Sequence, residues 1–563
     1  MSQILVECVP NFSEGRDKAI LEKITCEIVQ TEGAVLLDVD PGPDTNRTVV
    51  TFVGNPEAVV EAAFKAIKKA SEVIDMRCHK GAHPRFGACD VCPFVPISGI
   101  TMEECAELAR ILGKRVGEEL SLPVYLYEHA ASCEKRRNLA VVREGEYEAL
   151  SSRIITDEWK PDFGPAKFIP TFGTVAIGAR EFLIAYNINL NTSDEAHAKW
   201  IASRIREKGY FAKNEDGKFQ KDENGNKILI PGLFSNCKAG GWYLSSNDMA
   251  QVTMNLTNYK ITPVHIVFDK VSELAIERGV RVTGSEIVGL IPRKAMIDAG
   301  KYFLRKQGQS EGVPESKIIE TAIRSLGLRD IASFVPKEKI IEYSITCDTG
   351  KLTSLNVSKF ADEVSIDTPA PGGGSVAALC GALSSALSSM VANLTFSKKR
   401  FKSVKKEMGE IAPVTQELKD FFLSKVDEDT ASFNKLFSCF SLPENNDEER
   451  CFKADAIEKA TMEATLIPFS VLEKTLEILK LVEILIKKGN PNQLSDSGVA
   501  GLTAYASARG AYYNVLINIP GITDEKFKND ILSRSEQILS EIECKCRSID
   551  TYVIEELKKG FTK

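Results

Sequence analysis

The sequence predicts a multidomain protein in which two ferredoxin-like α/β subdomains are followed by an all-α helical bundle. Three observations carry that prediction. The chain has 563 residues, well beyond the roughly 100–200 that a single hydrophobic core serves. Its early part alternates strand-like and helix-like apolar periods, and the same order returns near residue 182. Beyond Lys351 only the helical period remains. The expected divisions are 1–181, 182–343, a linker over 344–351, and 352–563.

Residues 3–10 read as a buried strand and 17–30 as an amphipathic helix. Residues 34–40 and 47–53 read as strands on either side of a Pro-Gly-Pro-Asp turn, 56–74 as a helix and 88–95 as a strand. This is the β-α-β-β-α-β order of the ferredoxin-like motif. Thr101 with Glu104 forms a capping box that opens another helix, and 124–127 adds a strand. After a loop over 159–173 the order recurs: strand 182–190, helix 194–208, strands near Trp242 and over 250–256, helix 263–278 and strand 281–291. A charged hairpin that turns at Asn224-Gly225 is inserted in this second copy. A cleft between two such α/β layers is a natural ligand site. Helical periodicity then covers 401–440, 449–488 and 525–559, as a bundle requires.

A net charge of -7 argues against non-specific nucleic-acid binding, so an anionic ligand must meet a local basic patch. The chain starts Met1-Ser2-Gln3 without a signal-like run, so its 14 cysteines are expected as reduced thiols in a cytoplasmic protein. Residues 368–397 carry no charge, which imitates a membrane span. Their Gly, Ala and Ser content instead suits a buried, tightly packed helix, and no transmembrane segment is expected.

Only five histidines occur, and two fall in His79-Lys80-Gly81-Ala82-His83-Pro84-Arg85, with none after His265. Imidazole exchanges protons near neutral pH, so acid–base chemistry is expected from imidazole early in the chain and from carboxylate late. Cys78, His79, His83, Cys89 and Cys92 invite a zinc reading. The spacing opposes it: Cys89 and Cys92 point to opposite faces of a strand, and Gly81 and Pro84 keep the histidines off one helical face. No metal is expected. His83, in a loop on an α/β scaffold, reads either as a general base or as a structural hydrogen-bonding group.

Three further segments place polar groups at strand ends or in Pro/Gly turns: Val9 to Arg16, Leu37 to Thr48, and Asp162 to Gly173. Together with the histidine loop they resemble the formiminotransferase half of the bifunctional formimidoyltransferase-cyclodeaminase family, the folate enzymes of histidine breakdown. The helical part resembles the other half through Ala370-Pro371-Gly372-Gly373-Gly374-Ser375-Val376-Ala377, Val426 to Phe433 and Ser495 to Ala500. The triple glycine opens a helix without a following Gly-Lys-Ser/Thr, so it is no phosphate loop of the nucleotide-binding kind. It suits an anion or ring carbonyl, or alternatively close helix packing.

The resemblance implies His83 as the transferase histidine, Asp40 as its supporting aspartate and Asp429 as the deaminase acid. It implies a folate-contacting loop of Gly164, Pro165, Ala166, Lys167, Phe168, Ile169, Pro170, Thr171, Phe172 and Gly173, in which Phe168 and Phe172 would pack on the pterin. Arg47 or Arg85 is expected to hold a substrate carboxylate. Gly372, Gly373, Gly374 and Ser375 are candidate folate contacts. Lys398, Lys399 and Arg400 head the densest basic run, which reads as a docking patch for an anionic polyglutamate tail or as an ordinary solvated face.

The implied reaction moves a formimino group from N-formimino-L-glutamate to tetrahydrofolate, in polyglutamylated form, and then closes the ring to 5,10-methenyltetrahydrofolate with loss of ammonia. The rival reading is a transferase fused to a methenyltetrahydrofolate cyclohydrolase-like domain, or to an inactive folate-binding or scaffold domain. A homo-octamer, and association with Golgi membranes or centrosomes, are implied by resemblance alone. Two departures from the family stand out. Ala82 replaces an acidic residue before the histidine, which should lower the transferase pH optimum, and the insertion over 214–234 is longer.

Overall fold

The computed structural model describes residues 4–43, 45–81, 85–214, 217–244, 248–331, 333–345 and 351–559. His83, with its neighbours Ala82 and Pro84, and residues 346–350 of the expected linker lie outside the described residues. The chain divides into two compact units, one of residues 1–299 and 323–346, the other of 300–322 and 347–563.

In the first unit, strand β1 (Leu5–Cys8) breaks at Pro10, which cannot donate to a ladder, and resumes as β2 (Asn11–Phe12). Helix α1 (Lys18–Val29), strands β3 (Ala34–Gly42) and β4 (Arg47–Gly54), helix α2 (Pro56–Val73) and strand β5 (Cys89–Ser98) follow. The spatial order β3-β4-β1-β5, antiparallel throughout, is the ferredoxin-like arrangement the sequence predicts. Asp17 caps α1 by accepting from the N–H groups of Ala19 and Ile20, and Asn55 caps α2. Ile24, Ile28, Val59, Ala63 and Ile67 on the helices bury against Val6, Cys8, Phe52 and Phe94 of the sheet. The Thr101–Glu104 capping box starts α3 (Met102–Glu119), which precedes β6 (Val124–Glu128), α4 (Leu139–Val142) and α5 (Glu146–Arg153).

Strand β7 (Val175–Ala179) lies between β5 and β6 and runs parallel to both. The sequence reading has no strand here. The segment is short, carries Gly178 and is buried on both faces, so it lacks the alternation that marks a half-exposed strand.

The second copy comprises β8 (Ile184–Leu190), α6 (Glu195–Ile205), β9 (Tyr210–Phe211), β10 (Leu229–Ile230), β11 (Cys237–Leu244), β12 (Met249–Leu256), α7 (Val264–Glu277) and β13 (Val282–Val288). Its sheet order, β11-β12-β8-β13, repeats the ferredoxin-like order. The expected hairpin is present between β9 and β10, and Gly225 at its tip has φ +83°, a left-handed conformation that glycine adopts without strain.

Helices α8 (Arg293–Lys306), α9 (Glu315–Leu326), α10 (Pro336–Lys339) and α11 (Ile341–Ile345) follow. Residues 300–322, placed by sequence in the second α/β subdomain, cluster with the helical unit. Gly312 shows how they are held: its carbonyl accepts from Asn393 Nδ2 at 2.5 Å and Ser389 Oγ at 3.2 Å. A Cβ there would meet Ala412 at 2.3 Å, so only glycine allows the approach.

The helical unit continues with α12 (Val357–Ser365), α13 (Gly373–Phe396), α14 (Lys405–Cys439), α15 (Asp447–Lys488), α16 (Leu494–Asn518) and α17 (Glu525–Lys559). The charge-free segment becomes α13, which packs against α14, α15 and α16. By length and composition alone it would cross a membrane, yet more than half of it is buried within the unit. Its small residues make that packing close: a Cβ at Gly381 would lie 2.6 Å from the Phe422 ring. Its buried hydroxyls are satisfied, Ser385 and Ser388 donating to the carbonyls of Gly381 and Ser384, and Ser384 to that of Ala500.

Candidate active sites

In the first unit, the motif segments separated in sequence meet at one end of the seven-stranded sheet. Asn46, buried and held at φ +49° in the turn before β4, is the centre of the junction. Its side-chain oxygen accepts from the N–H of Gly15 at 3.0 Å, its amide donates to the carbonyl of Lys80 at 3.1 Å, and its own carbonyl accepts from His79 Nε2 at 2.7 Å. A carbonyl only accepts, so His79 carries its proton on Nε2. Its Nδ1 is buried and makes no hydrogen bond with a described residue. Gly15 and Gly81 permit the contact, since a Cβ on either would fall within 2.5 Å of a backbone oxygen, that of Gly42 or of Thr45. Thr48 Oγ1 donates to Glu14 at 2.5 Å, Ser13 Oγ to Gly87 at 2.7 Å and Arg16 Nε to Pro43 at 2.8 Å.

The loop over 162–173 joins the same region. The N–H of Met76 donates to Thr171 at 2.9 Å, that of Ala88 to Phe172 at 2.8 Å, and Tyr147 Oη to Pro170 at 2.5 Å. Asp162 anchors the loop's start, paired with Arg136 at 2.8 Å and accepting from the N–H of Leu126 at 2.7 Å. Gly164 and Gly173 both have left-handed φ, +81° and +78°, and a Cβ on Gly164 would lie 2.1 Å from the Leu122 carbonyl. Gly164, Ala166, Lys167, Pro170 and Thr171 are exposed, whereas Pro165, Phe168 and Ile169 are half-buried.

Two expectations need correction. Phe172 is 1% exposed and belongs to the hydrophobic core, so it offers no ring to a pterin. Phe168 is half-buried, edge-to-face with Tyr147 at 5.4 Å between centroids. Arg85 is committed as a strap: it pairs with Glu148 at 2.6 Å, donates to the carbonyls of Met76 and His79, and lies over the Tyr147 ring at 4.7 Å. Its guanidinium therefore orders the histidine loop instead of holding a substrate carboxylate.

Asp40 is exposed on β3, opposite Val49. Asp38, two residues earlier, has its carboxyl raised by burial and by Asp40, against the lowering charge of Lys339. Arg47 is nearly buried and donates from Nε and Nη2 to Asn11 Oδ1 at 3.0 and 2.6 Å. Its Nη1 lies 3.4 Å from buried Asp90, which Arg143 also approaches, at 2.9 Å. Sequence reading passed over Asp90 and Arg143. Asp90 is hidden between two cysteines of an apolar strand, and Arg143 lies 53 positions further on with no local pattern around it.

In the helical unit, the glycines at the start of α13 abut α14 at Asp429. Ser375 Oγ is fully buried and within 3.0 Å of Asp429 Oδ2, 3.0 Å of the Val426 carbonyl and 3.2 Å of Thr430 Oγ1. A Cβ on Gly374 would stand 2.2 Å from Asp429 Oδ1, so glycine is what brings the helix N-terminus onto the carboxylate. Burial raises the Asp429 pKa, and the hydrogen bonds from the Ser375 hydroxyl and N–H oppose the rise without cancelling it. Gly373 and Asn514 of α16 close this corner, and Gly372 is the helix's N-cap residue. Lys398, Lys399 and Arg400 are exposed at the opposite end of the 24-residue α13, about 36 Å away at 1.5 Å per residue. Arg400 donates to Asn490 Oδ1 at 2.5 Å. A groove of about 330 Å³ between α16 and α17 is lined by Tyr505, Glu543, Arg547 and Asp550, and includes none of the residues around Asp429. Among the described residues, no cluster of His, Cys, Asp or Glu has metal-ligand geometry.

Comparison with known proteins gives three family matches along the chain. Residues 5–180 match the formiminotransferase domain, N-terminal subdomain; 185–346 match the formiminotransferase domain; 356–537 match formiminotransferase-cyclodeaminase. The chain is 42% identical to the formimidoyltransferase-cyclodeaminase of Rattus norvegicus, covering 96% of this chain and 97% of that protein. It is 46% identical to the glutamate formimidoyltransferase of Thermoplasma acidophilum, over 55% of this chain and 95% of that protein. It is also 36% identical to the methenyltetrahydrofolate cyclohydrolase of Methylorubrum extorquens, over 33% of this chain and 89% of that protein.

Proposed function

The chain belongs to the formiminotransferase-cyclodeaminase family, and on that premise we propose how its own residues divide the work between the two units. The family's activity is bifunctional: the formimino group of N-formimino-L-glutamate passes to N5 of tetrahydrofolate, and the product cyclises to 5,10-methenyltetrahydrofolate with release of ammonia.

In the transfer, N5 attacks the amidine carbon, a tetrahedral intermediate forms, and glutamate leaves through its amine. His83 takes the proton from N5 and returns it to the departing nitrogen, with Asp40 orienting or charging the imidazole. The reading draws on the convergence of three motif segments at Asn46 and the attachment of the fourth, the loop over 162–173, to Met76 and Ala88 on either side of the histidine loop. Polar groups brought from residues 13–16, 42–48, 76–87 and 162–173 to one sheet end form a scaffolded loop cluster of the kind that carries catalysis. Phe168 and the exposed part of the loop from Gly164 to Gly173 face the folate.

In the cyclisation, N10 attacks the carbon of the formimino group in its protonated, amidinium form, the C–N bond to the amino group breaks, and the N10 proton must reach the departing nitrogen, so that ammonia leaves and the methenyl cation remains. Asp429 carries it: the acid donates to the leaving amine and the carboxylate so formed accepts from N10, a task suited to a carboxyl whose pKa lies above the ordinary aspartate range. That raised carboxyl, set against a glycine-opened helix N-terminus, is the observation that carries this half of the reading.

The assay is formation of the methenyl chromophore and ammonia from formiminoglutamate plus tetrahydrofolate by the full chain. Wild type yields both; Asp429→Asn accumulates 5-formiminotetrahydrofolate at an undiminished rate of glutamate release. An Asp429→Asn enzyme that still forms the methenyl product at the wild-type rate removes Asp429 from the mechanism. Similarity to a cyclohydrolase supports the rival reading, in which the helical unit hydrolyses the methenyl compound without releasing ammonia. Polyglutamylated folate as the working substrate, tail docking at Lys398, Lys399 and Arg400, a homo-octamer, and a cytoplasmic location with Golgi or centrosomal association complete the proposal. Family membership supports them, and sedimentation of the full chain tests the assembly.

A further inference from the structure

We propose that the sheet β11-β12-β8-β13, on the face turned away from its helices, is the floor on which tetrahydrofolate lies, with the pteridine edge at Asn187 and Glu286 and the aryl ring over Gly240 beside Trp242. This rests on the transferase reading above and extends it to a subdomain that none of the four motifs enters. Register sets these residues in one grid. Gly240 on β11 lies opposite Thr253 on β12, Thr253 opposite Asn187 on β8, and Asn187 opposite Glu286 on β13. The adjoining row is Trp242, Gln251 and Asn189. Side chains alternate along a strand, so both rows face the same way. The alternate positions face the helices: Tyr186, Ile188, Val252 and Met254 are buried, and a Cβ on Gly241 would lie 2.3 Å from the backbone nitrogen of Lys199 in α6.

The second face of an antiparallel sheet is commonly polar because water covers it. This face differs from a wetted surface. Asn189 and Gln251 are both buried and joined in a relay: the Trp242 indole N–H donates to Gln251 Oε1 at 2.7 Å, and Gln251 Nε2 donates to Asn189 Oδ1 at 2.8 Å. The relay fixes an indole that is itself 48% exposed. Asn187 is only 8% exposed, and its amide makes no hydrogen bond with a described residue. A buried amide is costly until a donor or acceptor reaches it. Gly240 stands in mid-strand, where glycine weakens a sheet, and the ladder runs through it without a bulge. A Cβ there would make one ordinary contact, 3.7 Å from Thr253 Cγ2. Packing within the chain therefore does not require this glycine, and the bare backbone suits a ring laid against it.

Chemistry and position select the ligand. The pteridine edge carries N–H donors beside a carbonyl acceptor; a carboxylate accepts from the donors, and a carboxamide serves either kind. Two strand spacings, about 10 Å, separate Gly240 from Asn187, which leaves room for the two ring systems of folate side by side. The β13 edge of the grid lies toward Asp40. Ile291, beyond the end of β13, donates its N–H to the Lys339 carbonyl at 2.9 Å, and the Lys339 charge opposes the burial that raises the pKa of Asp38, next but one to Asp40. At the other edge, Lys238 of β11 is the largest charge opposing the burial that raises the Glu128 pKa at the end of β6. The pteridine end of the floor is thus the end nearer the aspartate assigned to the transfer.

The test is Gly240→Val, Asn187→Leu and Trp242→Phe in the full chain, with melting temperatures and separate KM values for tetrahydrofolate and formiminoglutamate. The first two replace residues that the fold by itself does not favour, so the melting temperature should hold or rise. The tetrahydrofolate KM should nevertheless rise about tenfold or more, with the formiminoglutamate KM within about threefold. If Gly240→Val melts below wild type, Gly240→Ala takes its place, since the added carbon makes only the 3.7 Å contact. An unchanged tetrahydrofolate KM in the Gly240 or the Asn187 variant overturns the assignment, as does a rise confined to the formiminoglutamate KM. Trp242 reads the site without turnover. Tetrahydrofolate, added without oxygen, should quench the tryptophan fluorescence of wild type and lose most of that quenching in Trp242→Phe, although Trp159 and Trp200 remain; equal quenching overturns the assignment. A wild type that is quenched by tetrahydrofolate through Trp242 but transfers no formimino group overturns the transferase reading and leaves the floor standing. Normal transfer with wild-type KM values in all three variants does the reverse.

Discussion

Asp429 is drawn in two directions. Burial raises its pKa, while the Ser375 hydroxyl and N–H lower it, and burial wins. A carboxyl whose folded-state pKa exceeds its unfolded value contributes stability that is complete below the unfolded pKa and lost as pH rises through the folded one. Asp429→Asn should therefore melt like wild type at acid pH and increasingly above it as pH passes through the raised value. Melting curves taken across pH 4 to 8 check this, and a constant difference between the two proteins would contradict the burial argument. The same shift sets the cyclodeaminase's pH dependence: ring closure should decline as pH rises past the range in which Asp429 holds its proton.

At the scale of elements, the start of α13 and the face of α14 are matched through glycines, and the two closest contacts differ in kind. At Gly374 an added methyl meets the end of a carboxylate side chain at 2.2 Å, whereas at Gly381 it meets the buried Phe422 ring at 2.6 Å. A carboxylate can swing aside; a core ring cannot move without displacing its neighbours. Alanine also gains about 1 kcal/mol of helix propensity over glycine. Gly374→Ala should thus leave the melting temperature close to wild type but slow ring closure at least tenfold, with formimino transfer untouched. Gly381→Ala should lower the melting temperature, because overpacking costs about 1–3 kcal/mol and outweighs the propensity gain. Thermal melts and the two partial assays separate the variants.

For the whole molecule, Glu7 sets a pH limit on the first unit. It lies in the central strand β1, 2% exposed, and burial pushes its pKa up to about 8, against the lowering charge of Arg180. Its neutral form belongs to the folded state, so its stability contribution is full below about 4.5 and is lost as pH rises through about 8. Glu7→Gln should raise the melting temperature by a few degrees at pH 8.5 and hardly at all at pH 5. A stabilisation independent of pH would show that Glu7 is ionised in the fold.

Local pattern determined a large part of this protein. The order of strands and helices, the Thr101–Glu104 cap, the Asn224-Gly225 hairpin and the long helices of the second unit follow from apolar period, capping and turn chemistry, each of which acts over a few residues. The family resemblance was legible for the same reason, since its motifs are contiguous. Tertiary structure alone decided the rest. It put Phe172 in the core, bound Arg85 to Glu148, paired β7 between β5 and β6, gave residues 300–322 to the helical unit through Gly312, and set Arg143 against Asp90. Each of these depends on partners tens of residues apart. Periodicity shows which face of an element is apolar, but burial, ion pairing and close approach are settled only when distant elements occupy the same space.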